Sequence, residues 1–140
     1  MRFEDTRTKS WLEVRPWTDS DNDYSAFELE SHIEIGHGTF TAANRDIHLF
    51  DLASFADGLD AFARDHSQQP QLNGTYDSYL RVRSTQSCIA LDFCIGDTHC
   101  GGVTSDYRLT GTIEISTQIL SDMTHFFRQL SNQLRNDRNA

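Results

Sequence analysis

The densest group of ionisable side chains in this sequence is acidic and lies between residues 19 and 34. No lysine or arginine occurs between residues 16 and 44. Clustered carboxylates raise the local negative potential and speed the encounter with a basic protein. The sequence therefore predicts a partner-binding surface for a basic protein, and its six residues are Asp19, Asp21, Asp23, Glu28, Glu30 and Glu34.

Three histidines suggest a function of a different class from protein binding, that of a small metal-assisted or ligand-binding enzyme. They are His32, His37 and His99, and imidazole together with carboxylate can bind a divalent metal. Residues four apart on a strand are separated by about 13 Å, so Glu30 and Glu34 cannot both reach one ion beside His32. The spacing thus predicts no metal site, and these histidines are the candidates if one exists.

The cysteines give no clear catalytic or metal signal. Cys88, Cys94 and Cys100 are evenly spaced, whereas structural zinc sites use closer cysteine pairs. An odd number of cysteines without an export signal predicts reduced thiols. Nucleophile-elbow, phosphate-loop and dinucleotide-binding motifs do not occur. The sequence therefore predicts no catalytic residues and no cofactor.

Composition narrows the class of partner. The chain has 140 residues, with 21 acidic and 12 basic side chains and a net charge of −9. Such a surface repels nucleic-acid phosphates and anionic lipids. No apolar run is long enough to cross a membrane, and the polar start contains no signal peptide. We expect a cytoplasmic protein that binds neither nucleic acid nor membrane.

The first half of the chain reads as strands followed by a helix. Residues 11–18 alternate, and Pro16 indicates that this strand lies at an edge of the sheet or ends there. In the next strand Glu28, Glu30, His32 and Glu34 alternate with apolar residues, which predicts a solvated acidic face. Residues 36–38 form a turn, 39–43 a strand and 44–46 another turn. Asp51 is the predicted N-cap of an amphipathic helix that ends near His66.

The second half reads as a strand meander followed by a helix. Residues 67–78 form a predicted loop with a tight turn at Asn73-Gly74. Strands follow at residues 79–83, 88–95 and 108–115, with a loop over 96–102, and the last helix covers about 117–135. The prediction is one α+β domain over residues 11–136, between a flexible polar leader (1–10) and a frayed tail (137–140). Its antiparallel sheet, a sandwich or half-barrel of six to eight strands, carries one central and one C-terminal amphipathic helix.

The order of these parts resembles the immunity proteins encoded beside WapI-type wall-associated toxins, and also a neighbouring family of uncharacterised bacterial domains. The resemblance covers residues 11–135. It implies a non-enzymatic binder that neutralises a toxin and needs no cofactor. The matching residues are Phe27-Glu28-Leu29, Leu52, Phe55, Leu59, Leu72-Asn73-Gly74, Gly101-Gly102-Val103, Leu120, Met123, Phe127 and Leu130.

Taken together, these patterns favour a non-enzymatic protein-binding domain, with immunity against a basic toxin as its specific form. The enzyme that uses His32, His37 or His99 is the first alternative. An uncharacterised domain that assembles with itself is the second, so an oligomer is compatible with the sequence.

Overall fold

The computed structural model describes residues 1–17 and 26–139, and these form one antiparallel sheet and two α-helices. Each strand pairs with its neighbour in chain order, as predicted for an α+β domain. The elements are β1 (Arg2–Glu4), β2 (Trp11–Trp17), β3 (Ala26–Ile35), β4 (Gly38–Phe50), α1 (Leu52–Arg64), β5 (Gln71–Gly74), β6 (Tyr79–Ser84), β7 (Ile89–Cys100), β8 (Thr104–Ile115) and α2 (Thr117–Asn139).

Strand β4 joins the two halves of the sheet, which are β1–β4 and β4–β8. Most of β4 pairs with β3, but Leu49 and Phe50 at its end pair with β5. The far ends of the sheet then approach each other. The amide of Thr6 donates to the carbonyl of Glu114 over 3.0 Å, and the Glu114 amide donates to the Asp5 carboxylate over 2.9 Å. The open sheet therefore has the half-barrel form.

Both helices bury their apolar stripes in the same core as the inward-facing strand residues. Helix α1 begins where the sequence predicts, because the Asp51 carboxylate accepts a hydrogen bond from the Ser54 amide. Phe55 of α1 meets Phe127 of α2 edge to face, with ring centroids 5.0 Å apart. Aromatic pairs favour this arrangement, and it joins the helices within one core.

The predicted flexible leader is wrong. Residues 2–4 form β1, which pairs with β2, and the Phe3 side chain is fully buried opposite Leu12. The amino group of Met1 also donates to the Val14 carbonyl over 2.6 Å. A single apolar residue among polar neighbours produces no periodic signal, so the strand was invisible in the sequence. Helix α2 continues to Asn139, so residues 137–139 of the predicted tail are helical.

Several predicted turns and loops are parts of strands. Strand β4 continues through residues 44–46, where its register with β3 shifts opposite residues 27–29, and β7 continues to Cys100 through much of the predicted loop. Asn73-Gly74 lies in β5, not in a tight turn. The predicted turn at residues 36–38 is confirmed at Gly36, whose φ of 52° suits glycine. The missed segments lack apolar alternation because they are exposed or short, and alternation is what reveals a strand.

Candidate functional site

The predicted acidic strand lies in the outer surface of the first half of the sheet, away from the core. We call this surface the Glu/Trp face. Because successive side chains of a strand point to opposite sides, alternate residues of β2 and β3 reach it. The face consists of Trp11, Glu13, Arg15, Trp17, Glu28, Glu30, His32 and Glu34, with Arg2 and Arg45 from the neighbouring strands.

Arg15 ties three carboxylates of the Glu/Trp face together. Its Nη2 lies 2.8 Å from Glu28 Oε1 and 2.8 Å from Glu30 Oε2. Its Nη1 lies 3.2 Å from Glu13 Oε2. The strand register explains this geometry, since Arg15 stands opposite Glu28 and Glu13 stands opposite Glu30. A guanidinium presents several donors in one plane, so one arginine can hold all three acids.

Glu28 corrects the prediction of a fully solvated acidic face. Its side chain is only 8% exposed, and it pairs with Arg15 and with Arg45, whose Nε lies 3.6 Å away. A buried carboxylate is tolerable when it is paired. The two arginines lie just beyond the cation-free stretch in sequence but directly beside Glu28 in the sheet. Glu28 therefore has a structural role within this face.

Glu30 and Glu34 keep the exposure that a binding residue needs. Their side chains are 36% and 48% exposed. Glu34 Oε2 lies 3.3 Å from His32 Nε2, and the His32 ring stacks on Trp11 at a centroid distance of 6.0 Å. These two carboxylates are the part of the predicted acidic surface that a partner can reach among the described residues.

The other three predicted binding residues, Asp19, Asp21 and Asp23, lie outside the described residues. They fall between Trp17, where β2 ends, and Ala26, where β3 begins. Their part in partner binding stays a prediction.

The candidate metal-binding histidines lie in three different places in the fold. His32 is on β3, His37 is in the turn between β3 and β4, and His99 is near the end of β7. Across residues 1–17 and 26–139, no group of three or more histidine, cysteine, aspartate or glutamate side chains is arranged to hold a metal ion. The described residues thus bring no metal-ligand set together around these histidines.

The cysteines are free thiols in three different environments. Cys94 is buried, and burial raises its thiol pKa above the ordinary value. Cys88 is half-buried, with its sulfur 3.0 Å from the Thr85 hydroxyl. Cys100 is exposed near the end of β7. A raised pKa lowers the thiolate fraction, which is the nucleophilic form, so Cys94 is poorly suited to nucleophilic chemistry.

This difference predicts graded thiol reactivity. In the folded protein at neutral pH, Cys100 should react with iodoacetamide first and Cys94 last, with rates that differ by about 100-fold or more because of burial and thiolate fraction. Peptide mapping of timed samples measures each rate. After unfolding without reductant, all three thiols should titrate. Equal rates in the folded state, or a stable disulfide, would contradict the assignment.

Sequence reasoning missed an ion cluster on the outer surface of the second half of the sheet. Asp92 of β7 is 5% exposed. It accepts hydrogen bonds from Arg83 Nε over 2.7 Å, Arg81 Nη2 over 3.0 Å and the Thr112 hydroxyl over 2.6 Å. The signal was the pair of arginines on alternate positions of β6, opposite a single acid in β7. The cluster satisfies both oxygens of Asp92, which indicates a stabilising role.

An open groove of about 490 Å³ lies between the two helices. Asp60, His66, His125 and Arg128 are among its lining residues. Arg128 Nη2 is 2.7 Å from Asp60 and 2.8 Å from Asp57. The Arg128 guanidinium in this groove therefore already pairs with two carboxylates of α1.

Comparison with known proteins returned no match to a protein-family model, a curated protein or a solved structure. The resemblance to toxin-immunity proteins therefore stays a prediction. Within the described part of the chain, neither helix is long and apolar enough to cross a membrane.

Proposed function

We propose that this protein is a non-enzymatic binding domain that takes a basic protein partner on the Glu/Trp face. Immunity against a basic toxin is the specific form of this proposal. The observation that carries it is the presence of two accessible carboxylates, Glu30 and Glu34, and two tryptophans, Trp11 and Trp17, on one strand surface.

The aromatic residues of this face suit a binding surface. Trp17 is 39% exposed, and the Arg45 guanidinium lies over it at 5.1 Å from the ring centroid. Trp11 has the Arg2 guanidinium 3.8 Å from its ring centroid and also stacks with His32. Tryptophan and arginine are enriched among residues that dominate binding energy. Side chains fixed in advance lose less conformational entropy when a partner binds.

The charge of the face supports a basic partner, although less strongly than the sequence predicted. Four carboxylates of the face meet three arginines, which leaves one net negative charge among the described residues. The positive charge of Arg15 offsets negative charge mainly at Glu13, Glu28 and Glu30. Glu34 has no arginine among its described contacts, so the excess negative charge lies toward the β3–β4 turn. Surface charge of this kind steers association more than it adds affinity.

The test uses the purified product of the gene next to this one, which would be a basic toxin if the immunity role is right. We expect the double variant Glu30→Lys and Glu34→Lys to associate about tenfold or more slowly at low salt, because it inverts the field met by the partner. The difference should shrink at about 1 M salt, where screening acts over a few ångströms. Biolayer interferometry at both salt concentrations measures the rates.

A matched control separates local from overall charge. Asp122→Lys and Asp137→Lys make the same change in net charge on exposed positions of α2, and this variant should associate at close to the wild-type rate. Equal slowing of both variants, or a neighbouring gene product that does not bind, would refute the proposal. Glu28 is left unchanged because its buried carboxylate holds two arginines.

A further inference from the structure

Two inner strands of the sheet each have a stretch of one edge with no neighbouring strand among the described residues: residues 38–44 of β4 and residues 97–100 of β7. Strand β4 pairs with β3 from Gly38 to His48, but on its other side β5 reaches only Leu49 and Phe50. Strand β7 pairs with β8 up to Cys100, while β6 stops at Cys94. The cause is length, since β5 and β6 are much shorter than the strands on either side.

The two free edges open toward the same end of the molecule. Asn44 Nδ2 of β4 donates to the Gly96 carbonyl of β7 over 2.8 Å, so the strands touch at this point. Three antiparallel steps separate β4 from β7 in the sheet, hence they run in opposite directions. Beyond the contact, the β3–β4 hairpin (residues 33–44) and the β7–β8 hairpin (residues 95–109) form two arms. We call the space that they flank the slot.

The β4 edge of the slot lacks the usual protection against strand pairing. Residues 39–44 read Thr-Phe-Thr-Ala-Ala-Asn, with no charge and no proline. Residues 39–41 and 43 are exposed, and Phe40 is 52% exposed. Natural proteins generally shield such edges with charges, proline or shortness. The outer edges of this sheet follow that rule, because β1 has three residues and β8 carries Asp106 and Arg108.

We infer that the slot binds an extended basic segment of a partner protein, which adds a strand along residues 38–44 of β4. Strand addition gains affinity from main-chain hydrogen bonds and specificity from alternate side chains. Phe40, which is 52% exposed on β4, is the apolar contact for alternate residues of the segment. This inference deepens the proposed function, since it adds a second contact surface for the same class of partner.

Charge decides between a basic segment and other occupants. Four aspartates lie on the arms or near the contact between them: Asp46 is on β4, Asp77 is in the turn before β6, and Asp97 and Asp106 are on the β7–β8 arm. Arg108 is the arginine of that arm among the described residues, and it pairs with Asp77 at 2.5 Å. Arg45 turns to the Glu/Trp face, where it contacts Glu28 and Trp17. Acidic walls favour lysine and arginine in the bound segment. Pairing with a second copy is opposed by the net charge of −9 on each chain.

The probe is a synthetic peptide of about seven residues, a usual strand length, that alternates lysine with valine and has phenylalanine at its centre. We expect it to slow hydrogen exchange of residues 38–44 by about tenfold or more, because new main-chain hydrogen bonds protect edge amides. The same peptide with N-methyl groups on alternate residues, or with glutamate for lysine, should bind about tenfold more weakly. Mass spectrometry measures the hydrogen exchange, and calorimetric titration measures the affinity of each peptide.

Two phenylalanines of β4 supply the matched variants. Phe40→Ala should weaken the peptide about tenfold through lost apolar contact. Phe50→Ala removes an equally exposed ring, 53% against 52%, from the paired end of the strand and should leave affinity unchanged. Absence of protection at residues 38–44, protection elsewhere, or equal loss from both variants overturns the inference. Protection that rises with protein concentration without peptide also overturns it, in favour of self-pairing.

The peptide experiment and the charge-reversal experiment fail independently. The peptide assay contains no partner protein and reads only the β4 edge. Binding of the peptide together with wild-type association of the Glu30→Lys and Glu34→Lys variant would refute the Glu/Trp face alone. The opposite pair of results would refute the slot alone.

Discussion

Replacing Asp92 with alanine should lower the free energy of unfolding by about 3 kcal/mol, because it leaves two arginines of a buried ion cluster without their carboxylate. Asp92 is nearly inaccessible, and Arg81, Arg83 and Thr112 all donate to it. The arginine side chains are each 35% exposed, so water can solvate part of the orphaned charge. This places the expected loss at the lower end of the range for broken buried pairs. Urea unfolding at neutral pH measures it.

The control for Asp92 is an exposed ion pair. Asp57 lies 2.8 Å from Arg128, but its side chain is 72% exposed. Asp57→Ala should therefore cost less than about 1 kcal/mol, the usual worth of a surface pair. If both variants lose the same stability, or if Asp92→Ala loses less than about 1 kcal/mol, the cluster does not stabilise the fold.

The same cluster should make stability depend on acid pH. Burial alone would raise the pKa of Asp92, but hydrogen bonds from Arg83, Thr112 and Arg81 outweigh it and hold the pKa below the ordinary value. A carboxyl group with a lowered folded-state pKa contributes its full stability above its unfolded-state pKa and loses it as the pH falls through the folded-state pKa. The stability difference between wild type and Asp92→Asn should therefore narrow progressively in strong acid. A constant difference would contradict the assignment of charge to Asp92.

Helix α1 shows which parts of this fold were predictable from sequence. Asp51 and the stripe of Leu52, Phe55, Leu59 and Phe62 identify the helix, and all four stripe residues are buried. Capping and helical periodicity are local properties, so the sequence contains them in full. Strand β1 was missed because its burial depends on pairing with β2, which is not a local property.

Glu28 shows why only part of the candidate site was predictable. The alternation of β3 correctly separates Glu28 and Glu30 from Leu29. It cannot reveal that Arg15 and Arg45 come from the strands on either side. Cross-strand neighbours depend on register, which is set by turns and by the whole sheet. The slot was hidden for the same reason, since it exists only because β5 and β6 are short.

The end of the slot where β4 and β7 touch depends on Gly96. A Cβ placed on Gly96 would lie 2.0 Å from the carbonyl oxygen of Tyr76, which is backbone and cannot rotate aside. Gly96 also accepts the hydrogen bond from Asn44, and its amide donates to the Ser78 hydroxyl over 3.0 Å. Tyr76 belongs to a short 3-10 turn between β5 and β6. One residue thus holds β4, β7 and this turn in contact.

Gly96→Ala should therefore destabilise the protein by about 3 kcal/mol, the upper part of the usual cost of overpacking, because backbone must shift to admit the methyl group. Gly102→Ala is the matched control, since a Cβ there meets nothing within 4 Å, and it should change stability by less than about 0.5 kcal/mol. Urea unfolding of both variants tests the difference. Hydrogen exchange of residues 44–48 should also rise in Gly96→Ala alone, since the turn that packs on β4 must move away. Equal stability of the two variants would show that the turn does not pack on Gly96 as described.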